Sequence, residues 1–467
     1  MPSTRRSSGA SRRGLFRRAA ALAAFGPLFK LTNPASGAPS PQTGGVNRNS
    51  APSDLKITDM RACRVASNYD YPIIKIYTNQ DVYGLGEVRD AGVEGQALVM
   101  KPHLVGKNPL RIEPILDSIR TFTTQRRGGG GYSAIDMALH DIAGKVYGVP
   151  AHRLVGSKYR DRIRIYCDTD QSSDPRVFAE RLRKRKERGF TYFKMDLGTR
   201  LVADRPGAVN HRGVATPKGL EMLCEYIAAV RDAIGYEAPL AADHFGPLNV
   251  TDSIRYSRAF EPYQLAWAED ILQVGTLGPG GDAPKNWRAY KEIKAATVTP
   301  QATGESLFGL EEGFQPFIDN HAIDIIHPDP LTSGAIRETK RIADYASMHA
   351  IPTAIHFAGS PVGCMASVHM AATIKDFISM ESHAVDIPWW DSLVDGPSKP
   401  IIQKGFIPVP ETPGLGVELN EDAVKEHLRI PGYFEPTPEF DKYILDNFRR
   451  GGPYPHLDEH GNLVNEM

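Results

Sequence analysis

Cysteine is scarce: the 467 residues contain four, at 63, 167, 224 and 364. Their spacing fits neither a metal knuckle nor a disulfide framework, so they read as buried thiols. Net charge is missing too, since 55 Lys and Arg balance 55 Asp and Glu. That balance is uneven along the chain. Residues 1–38 hold six Arg, one Lys and no acid, which leaves the remainder with 48 basic and 55 acidic residues. A mildly acidic body lacks the electrostatic footprint of a nucleic-acid binder. No lysine and hydroxyl residue follow the glycine run 128–131, so it is not a phosphate-cradling P-loop. It reads as a mobile hinge.

What is present begins with a targeting signature. Arg12-Arg13 precedes a weakly apolar run of about a dozen residues, too short to span a bilayer. The pair resembles a twin-arginine export signal covering residues 1–38, which implies a periplasmic or extracellular destination without stable membrane insertion. Residues 39–54, rich in Pro, Ser, Gly and Asn, read as linker.

Residues 55–160 form a first folded unit. Alternating β-branched and polar residues over 55–67 and 72–88 predict antiparallel strands, with turns at Asn79-Gln80 and Gly84/Gly86. Ile135, Ala138, Leu139, Ile142 and Val146 lie at helical spacing, and Gly148 and Pro150 stop that helix. From 161 to 400 the rhythm becomes strand, helix, strand, eight times over, which predicts a parallel α/β barrel. Residues 401–467 have little periodicity and are expected to pack back on the first unit.

Within the second unit one grammar recurs. A short apolar run ends in a carboxylate or imidazole, then a Gly, Pro or polar loop: AADHFG (241–246), AWAEDILQ (266–273), ATGESLFG (302–309), DIIHPDPLTSG (324–334) and AIHFAGS (354–360). Strand ends of this kind converge on one rim of a barrel. Asp243, Glu269 and Glu305 would then face one pocket, and oxygen-only ligands favour Mg²⁺. Asp329 and His356 follow as a carboxylate–imidazole pair.

The joint order of these motifs over roughly 55–430 resembles the enolase superfamily, in its mandelate racemase/muconate lactonizing enzyme branch. The similarity is to the galactonate/mannonate-type sugar-acid dehydratases. Asp243 and Glu269 are 26 residues apart, Asp329 and His356 are 27 apart, and Glu381 follows His356 by 25. The resemblance implies a (β/α)7β modified TIM barrel with an N-terminal α+β capping domain. It implies Mg²⁺ on Asp243, Glu269 and Glu305, and a small-molecule sugar acid as partner. A homo-oligomer is expected.

The implied chemistry removes a proton from the carbon next to a carboxylate and stabilises an enediolate with Mg²⁺, which the handling of such sites by a His or Lys base fits. His356 is the expected base, oriented by Asp329. Loss of a β-hydroxyl then makes the chain a hydro-lyase giving a 2-keto-3-deoxy acid. Lys194, in FKMD, is expected to bind the substrate carboxylate or the enediolate, and Glu381 to hydrogen-bond either one. Racemases of this branch resemble K-x-K where this chain has K-M-D, so Asp196 replaces the opposing base. Beside Lys194, Asp196 is expected to be ionised and either to hold Lys194 or to touch a substrate hydroxyl. His244 is the candidate general acid. It follows Asp243 directly, whereas the family pattern is D-x-H, and on a regular strand it would face outward unless a bulge re-aims it. Tyr69 and Tyr71, in a capping-domain loop, would read the far end of a substrate. A racemase or epimerase of α-substituted carboxylates, or a non-catalytic sugar-acid binder, remains the alternative.

Overall fold

The computed structural model describes residues 54–90, 92–123, 129–272 and 286–441. The twin-arginine segment, nearly all of the linker and the end of the tail lie outside the described residues.

The capping unit opens with three antiparallel strands, β1 (Ile57–Val65), β2 (Tyr71–Thr78) and β3 (Tyr83–Glu87), in the order β1-β2-β3. Helix α1 (Ile112–Ile119) and the longer α2 (Gly130–Tyr147) follow. α2 is buried along most of its length and packs on β3 so closely that a Cβ at Gly86 would lie 1.9 Å from the Ala134 carbonyl oxygen. Gly148 ends it in the left-handed conformation, at φ 68°. The expected hinge is corrected here for the described glycines. Gly129–Gly131 open this buried helix, and a Cβ at Gly131 would lie 2.0 Å from the Gln96 carbonyl oxygen. These glycines permit close backbone approach.

Eight parallel strands form the barrel: β4 (Arg162–Cys167), β5 (Phe193–Asp196), β6 (Leu240–Asp243), β7 (Trp267–Glu269), β8 (Gln301–Thr303), β9 (Ile325–Ile326), β10 (Thr353–Ile355) and β11 (Phe377–Ser382). β11 closes on β4, with Glu381 opposite Tyr166. The intervening helices are α3 (Pro175–Glu187), α4 (Pro217–Ile234), α5 (Val250–Phe260), α6 (Trp287–Ala295), α7 (Gln315–Asp319), α8 (Ala335–Met348) and α9 (Pro361–Ala372). Their starts are written in the sequence. Asp174, Thr216, Asn249 and Ser360 each accept a backbone N–H of the first turn, and Pro follows three of them.

Strand alternation sorts the side chains. Phe193, Met195, Ala242 and Ile355 face the helices, whereas Tyr166, Tyr192, Ala241, Trp267, Ala302 and Ala354 fill the interior. In the tail, the Leu415 amide donates to Asp141 on α2, and the Arg429 guanidinium pairs with Asp70. No helix among the described residues is long and apolar enough to cross a membrane.

Candidate active site

The rim of the barrel gathers charge at the strand ends. Lys194 and Asp196 leave β5 on the inward face, two residues apart. The Lys194 ammonium lies 2.9 Å from Asp243, 3.0 Å from Glu269 and 2.9 Å from Glu381. Burial would depress that ammonium; the three carboxylates outweigh it and hold it well above the ordinary lysine range. Burial, then Asp243, pushes the Glu269 carboxyl well up, and Lys194 opposes. Beneath it, the Trp267 indole N–H donates to Glu269 at 3.0 Å.

His356, at the end of β10, turns Nδ1 to Asp329 Oδ2 at 2.6 Å. Its Nε2 faces Glu305 at 3.1 Å and Glu381 at 3.9 Å. Asp329 is fully buried, and its other oxygen accepts the Leu331 amide, which starts the turn of helix Pro330–Ser333.

The expected metal triad is therefore divided. Asp243 and Glu269 share the Lys194 ammonium, while Glu305 is turned to His356 and to Arg89, 3.6 Å away. The donor set itself suits a hard divalent cation: all oxygen, from three consecutive strand ends, two of them already holding a cation. Asp270 adds a fourth carboxyl. Burial, then Glu305 and Asp243, raise it well above the usual range, and Thr303 donates to it.

His244 corrects the regular-strand expectation. β6 ends at Asp243, and His244 takes the left-handed conformation at φ 60°. Its Nε2 lies 3.8 Å from both Asp196 and Asp243, with 57% of the side chain exposed. Phe245 goes into the core against Phe260. Asp196 corrects a second expectation. Burial and then Asp168 push its carboxyl up to about 7, because Lys194 spends its ammonium on Asp243, Glu269 and Glu381 instead. Tyr69 sits edge-on to His383, ring centroids 5.4 Å apart. Tyr71 does not join it: the ring is buried in the core and its hydroxyl donates to Asn68.

Five site residues were not singled out from the sequence. Arg89 follows β3 and is 1% exposed. It donates from Nη1 to the Glu305 carbonyl and the Thr332 hydroxyl, and forms ion pairs with Asp329 at 3.1 Å and Asp90 at 2.6 Å. Nothing in the chain's local pattern announces these partners. Asp168 lies one residue past β4, and Asp270 one past Glu269. His327 and His383 are legible by alternation, two residues before Asp329 and two after Glu381. Burial pushes the His327 imidazole down to about 3, and its Nε2 meets the Tyr166 hydroxyl at 2.8 Å.

Next to the dyad, the capping unit reaches the barrel a second time. Glu87, at the end of β3, accepts the Ser360 amide and hydroxyl and the Gly363 amide, at the start of α9.

A capped barrel whose rim joins buried carboxylates, an ammonium and an imidazole–carboxylate dyad is the arrangement of an enzyme of the enolase superfamily. The chain belongs to the mandelate racemase/muconate lactonizing enzyme family. The profile of that family's N-terminal domain matches residues 47–156, and the enolase C-terminal domain-like profile matches 177–423. A D-xylonate dehydratase from Haloferax volcanii is 35% identical over 388 residues, covering 80% of this chain and 89% of the relative. The crystal structure of a mandelate racemase/muconate lactonizing enzyme-like protein from Rubrobacter xylanophilus superposes with TM-score 0.73 at 31% identity, covering 81% of this chain and 99% of that one. An enolase from Pantoea ananatis with bound D-gluconate and Mg superposes with TM-score 0.68 at 28% identity, over 82% and 96% of the two chains. Like its dehydratase relatives, the chain is a hydro-lyase of that superfamily.

Proposed function

We propose that this chain dehydrates a sugar acid, an aldonate of five or six carbons, in a Mg²⁺-dependent reaction. The observation that carries the reading is the His356–Asp329 dyad, 2.6 Å apart, on a rim that also holds a buried ammonium. A relative named for D-xylonate and a neighbour with bound D-gluconate support the substrate class.

Asp329 fixes Nδ1 as the protonated nitrogen, so Nε2 is the atom free to take the proton from C2. Glu305 must leave Nε2 for that, and the proposed role for Glu305 as a metal ligand moves it there. Asp243, Glu269 and Glu305 would hold Mg²⁺, which when bound supplies charge stabilisation for the enediolate. Lys194, at the end of β5 beside those carboxylates, keeps an ammonium for the substrate carboxylate. Burial would raise Glu381, but Lys194 and then His383 hold it well below the usual range, so it would act as an acceptor toward substrate hydroxyls and not as a donor to the substrate carboxylate.

Asp196 stands where the racemases have their second base, and the relatives named as dehydratases favour elimination over epimerisation. Incubation with a panel of aldonates and Mg²⁺ tests the reading. A 2-keto-3-deoxy acid is the expected product; accumulation of the C2 epimer alone would overturn it. The Arg12-Arg13 pair further supports export by the twin-arginine route.

A further inference from the structure

Elimination of water needs a proton for the departing hydroxyl as well as a base for C2. His244, the residue whose sequence position suggests that task, is more than half exposed and lies 3.8 Å from its nearest carboxylates. A better-built imidazole stands at the end of β11, the strand beside that of His356.

His383 follows Glu381 by two residues at the end of β11, so both point inward. Its side chain is 9% exposed, with Nδ1 3.4 Å from Asp168 Oδ2 and Nε2 3.2 Å from Glu381 Oε1. Nε2 faces Glu381 Oε1 as an ion pair and not as a well-formed hydrogen bond, so its proton can be redirected to a bound hydroxyl. The ring centroid is 5.7 Å from that of His356. The capping loop closes over it: Asn68 donates to the His383 carbonyl oxygen, and Tyr69 meets the ring edge-on. Two imidazole–carboxylate pairs, His356–Asp329 and His383–Asp168, therefore face one another from adjacent strands.

We propose that His383 is the general acid of the elimination, its Nε2–H protonating the departing C3 hydroxyl while Asp168 holds the ring. The assignment rests on the dehydratase reading above. His356 takes the C2 proton, and the C–H electron pair enters the carboxylate as an enediolate. That pair returns to form the C2–C3 double bond as the C3–O bond breaks. The His383 proton joins the leaving oxygen, which departs as water. Ketonisation takes a proton at C3 from His356 and releases the enol proton, which restores His383. Burial would strip the His383 proton, but Glu381 and Asp168 outweigh it and hold the imidazole well above its ordinary range, so the proton is in place at neutral pH.

The roles separate in His383→Asn and His383→Gln, purified as full chains with Mg²⁺ and checked for folding by circular dichroism. The probes are D-xylonate, D-gluconate and the 3-deoxy-3-fluoro analogue of whichever acid the wild type dehydrates. Both variants are expected to keep exchanging the C2 proton in D₂O, which His356 performs, while dehydration falls by about a hundredfold or more. Fluoride release from the analogue is expected to survive, since fluoride leaves without a proton. Unimpaired dehydration would overturn the assignment, as would loss of exchange and dehydration together in a folded variant. The same split in His244→Asn but not in His383→Asn would transfer the role to His244. Absence of both exchange and product in the wild type would instead remove the reaction reading beneath it.

Discussion

Arg89 and Asp329 meet across the two halves of the molecule. Arg89 Nη1 lies 3.1 Å from Asp329 Oδ2, the same oxygen that receives His356 Nδ1 at 2.6 Å. A capping-unit guanidinium therefore fixes the carboxylate that fixes the base. It is itself buried, and Asp329, Asp90 and Glu305 offset the cost of burying it and raise its affinity for its proton.

Replacing Arg89 with Met is expected to lower thermal stability, because it strands buried carboxylates; losses of about 3–5 kcal/mol are usual for such broken pairs. In whatever folds, kcat is expected to fall while KM changes little, as Asp329 no longer holds one orientation. Arg89→Lys should recover part of kcat. Calorimetry and steady-state kinetics check this; KM rising with kcat unchanged would place Arg89 at the substrate instead.

His356→Asn is expected to remove both C2-proton exchange and product formation, with a loss of about a hundred- to ten-thousandfold. Nuclear magnetic resonance in D₂O reads the two together. Exchange that persists in this variant but vanishes in Lys194→Ala would make Lys194 the base.

Removal of metal by a chelator is expected to abolish activity, and added Mg²⁺ to restore it. Glu269→Gln should lose activity and Mg²⁺ binding by titration calorimetry while circular dichroism stays native. Full activity in excess chelator would show that Asp243, Glu269 and Glu305 serve another purpose.

Gly86→Val is expected to unfold or severely destabilise the chain, since even a Cβ would sit 1.9 Å from the Ala134 carbonyl oxygen. The expected readout is insoluble expression or a large drop in melting temperature. A stable, active variant would mean that β3 and α2 can separate.

Changing Arg12 and Arg13 together to Lys is expected to leave the protein in the cytoplasm. Cell fractionation with a tagged full chain decides this; an unchanged exported fraction would exclude the twin-arginine route.

The barrel was legible because each strand end carries the same short grammar, and period-two alternation assigns its faces. Lys194, Asp243, Glu269 and His356 all fall inward on that rule. Legibility stopped where strands end. His244 departs because its left-handed backbone breaks the alternation, and a carboxylate within Lys194's reach on paper, Asp196, loses that cation to three others. Tyr71 could not be told from Tyr69 by composition, yet one is core and the other lies over His383. Arg89 was invisible for a different reason: its barrel partners are more than 200 residues away, and no local pattern encodes a contact of that span.

Glu87 and Arg89 also set terms for anyone recombining this enzyme with its relatives. The loop bearing Asn68 and Tyr69 is available for exchange when a different acid is to be accommodated. The few residues from β3 to Asp90 are not, because they terminate on the Ser360 end of α9 and on Asp329. A chimera with its seam at residue 160 would import a foreign plug into this barrel. A seam that keeps residues 83–90 native, grafting only the loop before β2, would preserve the Glu87 and Arg89 contacts while changing what lies over His383.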